Sequence, residues 1–172
     1  MEQHKHRMTH ADFLTADFAA PTSLDGVDIT GPGRFMNREL SWLGFNWRVL
    51  EEAENPRVPL MERLRFLSIS AGNLDEFYTV RVAGLRELAL AGNTTPASDG
   101  LSPAQQLVLI NENARELMIA QQRVLTGLLA EMETAGVKVL NPEDLTTDDH
   151  SFLADFFLNH VFAVLSPLAI DP

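Results

Sequence analysis

NRELSWLGFNWRVLEEAE, residues 37–54, is the stretch whose reading decides the fold. Leu40, Leu43, Trp47 and Leu50 recur at helical spacing, and Trp42, Phe45 and Val49 widen the apolar face they form. A helix this apolar needs cover on more than one side, which calls for further helices around it. Asn37 is placed to cap the start, and Glu39 falls in the first turn, where the helix dipole favours negative charge. The segment NPRVP, residues 55–59, stops the helix, because proline pushes the residue before it out of the helical region.

Moving outward, a second helix is expected to start at Pro59, with Leu60, Leu64, Phe66 and Leu67 on its buried side. Ser70, Ala71 and Gly72 weaken the pattern. Asn73 then reads as a new N-cap, at capping-box spacing from Glu76, and Phe77, Val80, Leu85 and Leu88 carry the apolar face onward. Residues 59–91 are therefore one helix bent at Gly72 or two helices. GNTTPASDG, residues 92–100, is a loop. Ser102 and Gln105 form a second capping box with Pro103 at the first helical position, and the helix they open runs to Thr134, with Gly136 as its stop. Leu107, Ile110, Ala114, Leu117, Gln121, Val124, Leu128 and Met132 trace a heptad-like seam along it. Such a long helix suits an antiparallel bundle.

The flanks have a different texture. Residues 1–33 read as a mobile leader; His4, His6 and His10 there are assigned to a solvated tail rather than a metal site. After Gly136, Val137–Leu140 is expected to form a short strand, Asn141 and Pro142 a turn, and residues 147–162 a phenylalanine-rich helix. The apolar, proline-interrupted end, residues 163–172, reads as the cut edge of a longer chain. The expected fold is mainly α: an up-and-down helical bundle of the spectrin-repeat kind over residues 34–136, followed by the start of an α+β second domain over 137–172.

Composition narrows the function. The net charge is −11, from 24 acidic and 13 basic residues, and an acidic surface repels polyanions. This argues against nucleic-acid binding by the chain itself and sets the same difficulty for any other phosphate polymer. There is no cysteine, hence no disulfide framework and no thiolate metal site, which fits a cytoplasmic location. No apolar run has the length of a transmembrane helix, roughly 18 residues. No Ser/His/Asp set, catalytic carboxylate pair, metal-ligand cluster or P-loop is legible, so no catalytic or metal-binding residue is assigned.

Three pieces in order, RELSWL at 38–43, Phe45-Asn46, and NLDEFY at 73–78, make residues 34–85 resemble the opening of bacterial polyphosphate kinases. The end, VLSPLAIDP at 164–172, is similar to the family's lead-in to its second domain. The resemblance implies a four-domain enzyme that reversibly moves the terminal phosphate of ATP onto polyphosphate, through a phosphorylated histidine and with Mg²⁺, and that works as a homo-oligomer. It implies that the N-terminal domain covers the adenine side of the ATP site and that Asn73 is the nucleotide-contacting asparagine. The reactive histidine and the Mg²⁺ ligands would lie beyond residue 172, since neither His150 nor His160 matches them, and the 172-residue chain alone would be inactive.

The residues leave other readings open. Spacing alone makes Asn73 a helix cap. Asp75 and Glu76 are adjacent on a helix and diverge, so they suit the dipole better than a metal ion. Trp42, Phe45 and Trp47 are assigned to the core rather than to a stacking platform. Arg38, Arg65 and Arg81 are expected in ion pairs, with Arg81 along the same cleft as Asn73. The competing function is a helical scaffold for oligomer assembly with no ligand of its own, a reading the long helix favours.

Overall fold

The computed structural model describes residues 31–166. The leader through residue 30, with its three histidines, and the last six residues of the tail motif lie outside them. The chain divides into two compact units, Met1–Met132 and Glu133–Pro172.

In the first unit, helix α1 is Arg38–Glu54. Helix α2, Leu60–Glu76, continues without a break through a π-helical turn, Phe77–Val82, into α3, Ala83–Leu90. After a loop comes α4, Pro103–Thr134, whose 32 residues make it about 48 Å long. Side-chain bonds give the directions. Asn37 meets Gln106 and Glu54 meets Arg123, so α1 and α4 run parallel. Arg63 meets Glu131 and Tyr78 meets Asn111, so α2 and α3 run against α4. The unit is an up-down-up bundle of three helical rods, and the chain is mainly α.

The helix starts follow local chemistry. Asn37 Oδ1 accepts from the Glu39 and Leu40 amides, both at 3.0 Å. Its Nδ2 donates to Asp99 at 2.7 Å and to Gln106 at 3.0 Å, so one residue caps α1 and ties it to the loop and to the start of α4. Ser102 and Gln105 form their reciprocal box. Gly100 has φ +81° and lies close to Pro32, so a side chain there would be strained and would crowd the proline ring. Gly136, at φ +86°, follows the end of α4.

The core is built from Leu43, Trp47 and Leu50 of α1, Leu67 and Leu74 of α2, Phe77 and Val82 of the π turn, and Ile110, Ala114, Leu117, Val124 and Leu128 of α4. The seam read along α4 is thus the buried one, with Leu107 at its partly covered edge. Four expectations need correction. Phe45 is 55% exposed and does not widen the core face; the neighbouring Asn46 is buried instead. Pro59 is the N-cap of α2 rather than its first residue. The helix does not restart at Asn73, because Ser70 is fully buried and bonded to both neighbouring helices, and this packing outweighs the roughly 1 kcal/mol that Gly72 costs in a helix. Val80 and Leu88 are exposed, because the π turn adds a residue and passes the buried face from Phe77 to Val82 and Leu85.

In the second unit, residues 137–140 form no strand; a strand needs a partner to satisfy its backbone, and no strand occurs among the described residues. Pro142–Asp144 is a 3₁₀ turn. Helix α5, Thr147–Phe156, begins at a capping box between Thr146 and Asp149 and passes through a second π turn, Phe157–Val161. The Thr146 bonds hold the Asp149 carboxyl below its ordinary range. Phe152, Phe156, Phe157 and Phe162 are all largely exposed. Among the described residues no helix is long and apolar enough to cross a membrane.

Arg63 joins all three rods at the far end. Its Nε donates to the Ala53 carbonyl at 2.8 Å, and its two terminal nitrogens reach Glu131. The Arg63 side chain is 13% exposed and Glu131 is 50% exposed. Urea denaturation should therefore find Arg63→Ala destabilised by about 2 kcal/mol, since an ionised donor to a helix-end carbonyl is lost. Glu131→Gln, which touches only the wet side of the pair, should cost less than about 1 kcal/mol. Equal losses would contradict this division.

Candidate functional site

The antiparallel pairing of α1 with α2 brings the motif pieces of the sequence into one row of contacts. At one end Arg81 and Glu39 pair at 3.4 Å. One turn along, Trp42 stacks on Phe77 with ring centroids 4.5 Å apart and planes 3° from parallel. One turn further, Asn73 Nδ2 donates to Asn46 Oδ1 at 3.3 Å. Asn46 Nδ2 donates to the Ser70 carbonyl at 2.9 Å, and the Ser70 hydroxyl accepts from Gln121 of α4 at 2.9 Å. Asn46, Ser70 and Gln121 are buried, and Asn73 is half-buried. The row thus runs from interior to surface and ends on an amide that reaches solvent.

This arrangement places each candidate. Asn73 sits inside a helix, so its side chain is not used as a cap and is available to a ligand. Trp42 is half-buried in a stack, and Trp47 is core. Phe45 and Ile69 are exposed, the one next to Asn46 in sequence and the other one helical turn before Asn73. Arg81 is paired within the row, Arg65 pairs with Glu62 on its own helix, and Arg38 is exposed with no ion pair among the described residues. Asp75 and Glu76 are exposed; their carbonyls accept from the Thr79 hydroxyl beside the π turn. His160 lies in the other unit, against Phe156. Among the described residues no three His, Asp or Glu side chains gather closely enough to hold a metal ion.

Sequence reasoning missed Asn46 and Ser70 as members of the row. A polar residue inside an apolar stripe, between Leu43 and Leu50, was the available signal for Asn46. Chemically the row offers an amide whose oxygen and nitrogen can match a polar planar edge, beside exposed apolar side chains. That combination suits a heteroaromatic base better than a phosphate, since the adjacent cation, Arg81, is already paired.

Known proteins share this part of the chain. The polyphosphate kinase N-terminal domain family matches residues 35–140. A polyphosphate kinase of Synechocystis sp. is 44% identical over 155 residues, covering 90% of this chain and 21% of the relative. Those of Halalkalibacterium halodurans and Bacillus anthracis are 46% and 44% identical over 147 residues, each covering 84% of this chain and 21% of the relative. The chain therefore spans about a fifth of the length of the curated relatives it matches. No solved structure matches it.

Tyr78 closes the row against α4, donating to Asn111 Oδ1 at 2.9 Å. Burial raises its phenol above the ordinary range by disfavouring the phenolate. A raised folded-state value means the stability it contributes is full below the unfolded phenol range and is lost as pH rises through the folded value. Tyr78 is the only tyrosine in the chain, so tyrosinate absorbance reads it alone. The midpoint should lie higher in the folded chain than in urea, and coincident midpoints would contradict its placement.

Proposed function

The chain belongs to the polyphosphate kinase N-terminal domain family, and from that premise we propose that it forms the wall of a polyphosphate kinase's ATP site that faces the adenine, with Asn73 as the side chain meeting the base. The reaction of the whole enzyme is reversible transfer of the ATP terminal phosphate onto polyphosphate, by way of a histidine carried outside this chain. The observation that carries the reading is the state of Asn73: half-buried, held on one side by Asn46, inside a motif the family resemblance links to nucleotide, with its carbonyl oxygen unpaired among the described residues.

The division of labour follows from charge. A chain of net charge −11 is poorly suited to hold polyphosphate, whereas a neutral base needs no cations. The triphosphate, the polymer and Mg²⁺ are accordingly assigned to the rest of the enzyme; the described residues offer no ligand set that fits Mg²⁺. Work in the cytoplasm as a homo-oligomer completes the reading. A second reading, a scaffold for assembly only, draws on Val108, Met118 and Ile119, three apolar side chains left exposed along α4.

Asn73→Ala in the full-length enzyme separates the two. Loss of one neutral hydrogen bond, about 1 kcal/mol, should lower kcat/KM for ATP roughly fivefold. The sedimentation behaviour should be that of the parent. Unaltered ATP kinetics would favour the scaffold reading.

A further inference from the structure

Asn46 is fully buried, yet its amide carries two donors and an acceptor that need partners. Its contact with Ser70 is to a carbonyl oxygen, which can only accept. That admits one orientation of the Asn46 amide, nitrogen toward Ser70 and oxygen toward Asn73. Asn73 must then turn its own nitrogen inward, as the 3.3 Å contact records. Turning it over would set two carbonyl oxygens against each other at a half-buried position, where the repulsion is poorly screened. Hydrogen-bond polarity therefore runs outward from the α2 backbone through two amides. It ends on Asn73 Oδ1, which accepts no hydrogen bond among the described residues and is not among the buried unpaired atoms.

We infer that Asn46 is a positioning residue that holds Asn73 as a hydrogen-bond acceptor toward the nucleotide, so that the domain selects a base whose facing edge carries an exocyclic amine. The inference rests on the nucleotide reading above and adds the direction of the bond and the residue that sets it. An asparagine free in solvent can rotate to suit a donor or an acceptor; Asn73 can rotate only by breaking with Asn46. A 6-aminopurine places a donor against Asn73 Oδ1. A 6-oxopurine places a second acceptor there, and the mismatch leaves both oxygens unpaired.

The test uses the full-length enzyme and the ratio of kcat/KM for ATP to that for ITP, whose base has a 6-oxo group and a protonated N1. The parent should favour ATP. Asn46→Ala frees Asn73 to turn, so the ratio should fall about fivefold or more, mainly through a lower KM for ITP. Gln121→Met is the control: Gln121 bonds the Ser70 hydroxyl, not the carbonyl that orients Asn46, so this variant should lose stability and keep the ratio. An unchanged ratio in Asn46→Ala, or an equal fall in both variants, overturns the inference. Should Asn46→Ala not fold, Asn73→Ala carries the test from a half-buried position. It removes the acceptor, so the ratio should fall about fivefold, and an unchanged ratio overturns the inference. Asn73→Ala distinguishes the levels of failure. If it leaves ATP use intact, the nucleotide reading falls and this inference with it; if it weakens ATP use while Asn46→Ala leaves the ratio alone, only the positioning role falls.

Discussion

A buried amide that must be satisfied governs the first unit. Asn46 sits where a leucine would be expected, fully enclosed by helices, and an unpaired amide there costs on the order of 1–3 kcal/mol for each polar group left without a partner. Its two bonds to Ser70 and Asn73 are available only if α1 and α2 run antiparallel in one register and one rotation. A slide of one turn would lose both bonds and would part Trp42 from Phe77 and Glu39 from Arg81. Apolar packing supplies most of the driving force but tolerates sliding; the amide bonds choose among the alternatives. Gln121 extends the same selection to α4 through the Ser70 hydroxyl.

Much of this architecture is legible in the residues themselves. Asn37, the Ser102–Gln105 box and the seam from Ile110 to Met132 declare their helices, because capping and heptad spacing are local rules and nothing in the tertiary structure opposes them. Two features were hidden for opposite reasons. Asn73 looks like a cap because Ser70, Ala71 and Gly72 look like a break, yet packing on both sides of Ser70 holds the helix through them. The π turn is hidden because a regular helical period after Phe77 places Val80, not Val82, on the buried face. The step of five residues from Phe77 to Val82, where three or four is the helical norm, is its trace in the sequence. The nucleotide role proposed for Asn73 rests on family resemblance, not on spacing, since an amide inside a helix carries no intrinsic sign of a ligand.

The row between α1 and α2 makes physical sense as one wall of a base site and little sense as a phosphate site. The cation in the row, Arg81, is paired with Glu39, the surface edge is an amide with exposed Phe45 and Ile69 close to its residues in sequence, and the chain is acidic. An enzyme that handles a highly charged polymer gains from separating functions this way, because base recognition needs shape and polarity while phosphate recognition needs positive potential. The apolar side chains of the second unit, Phe152 through Phe162, belong to a separate physical problem, since they lie outside the row.

A crystal structure of the full-length enzyme with a non-hydrolysable ATP analogue tests the central claim most directly. The distance to measure is that from Asn73 Oδ1 to the adenine 6-amino nitrogen. A separation in the hydrogen-bond range of about 2.8–3.2 Å, with the Asn73–Asn46 contact kept, is the expected result. An adenine bound away from this row, or one met by the Asn73 nitrogen with the Asn46 contact broken, would contradict it.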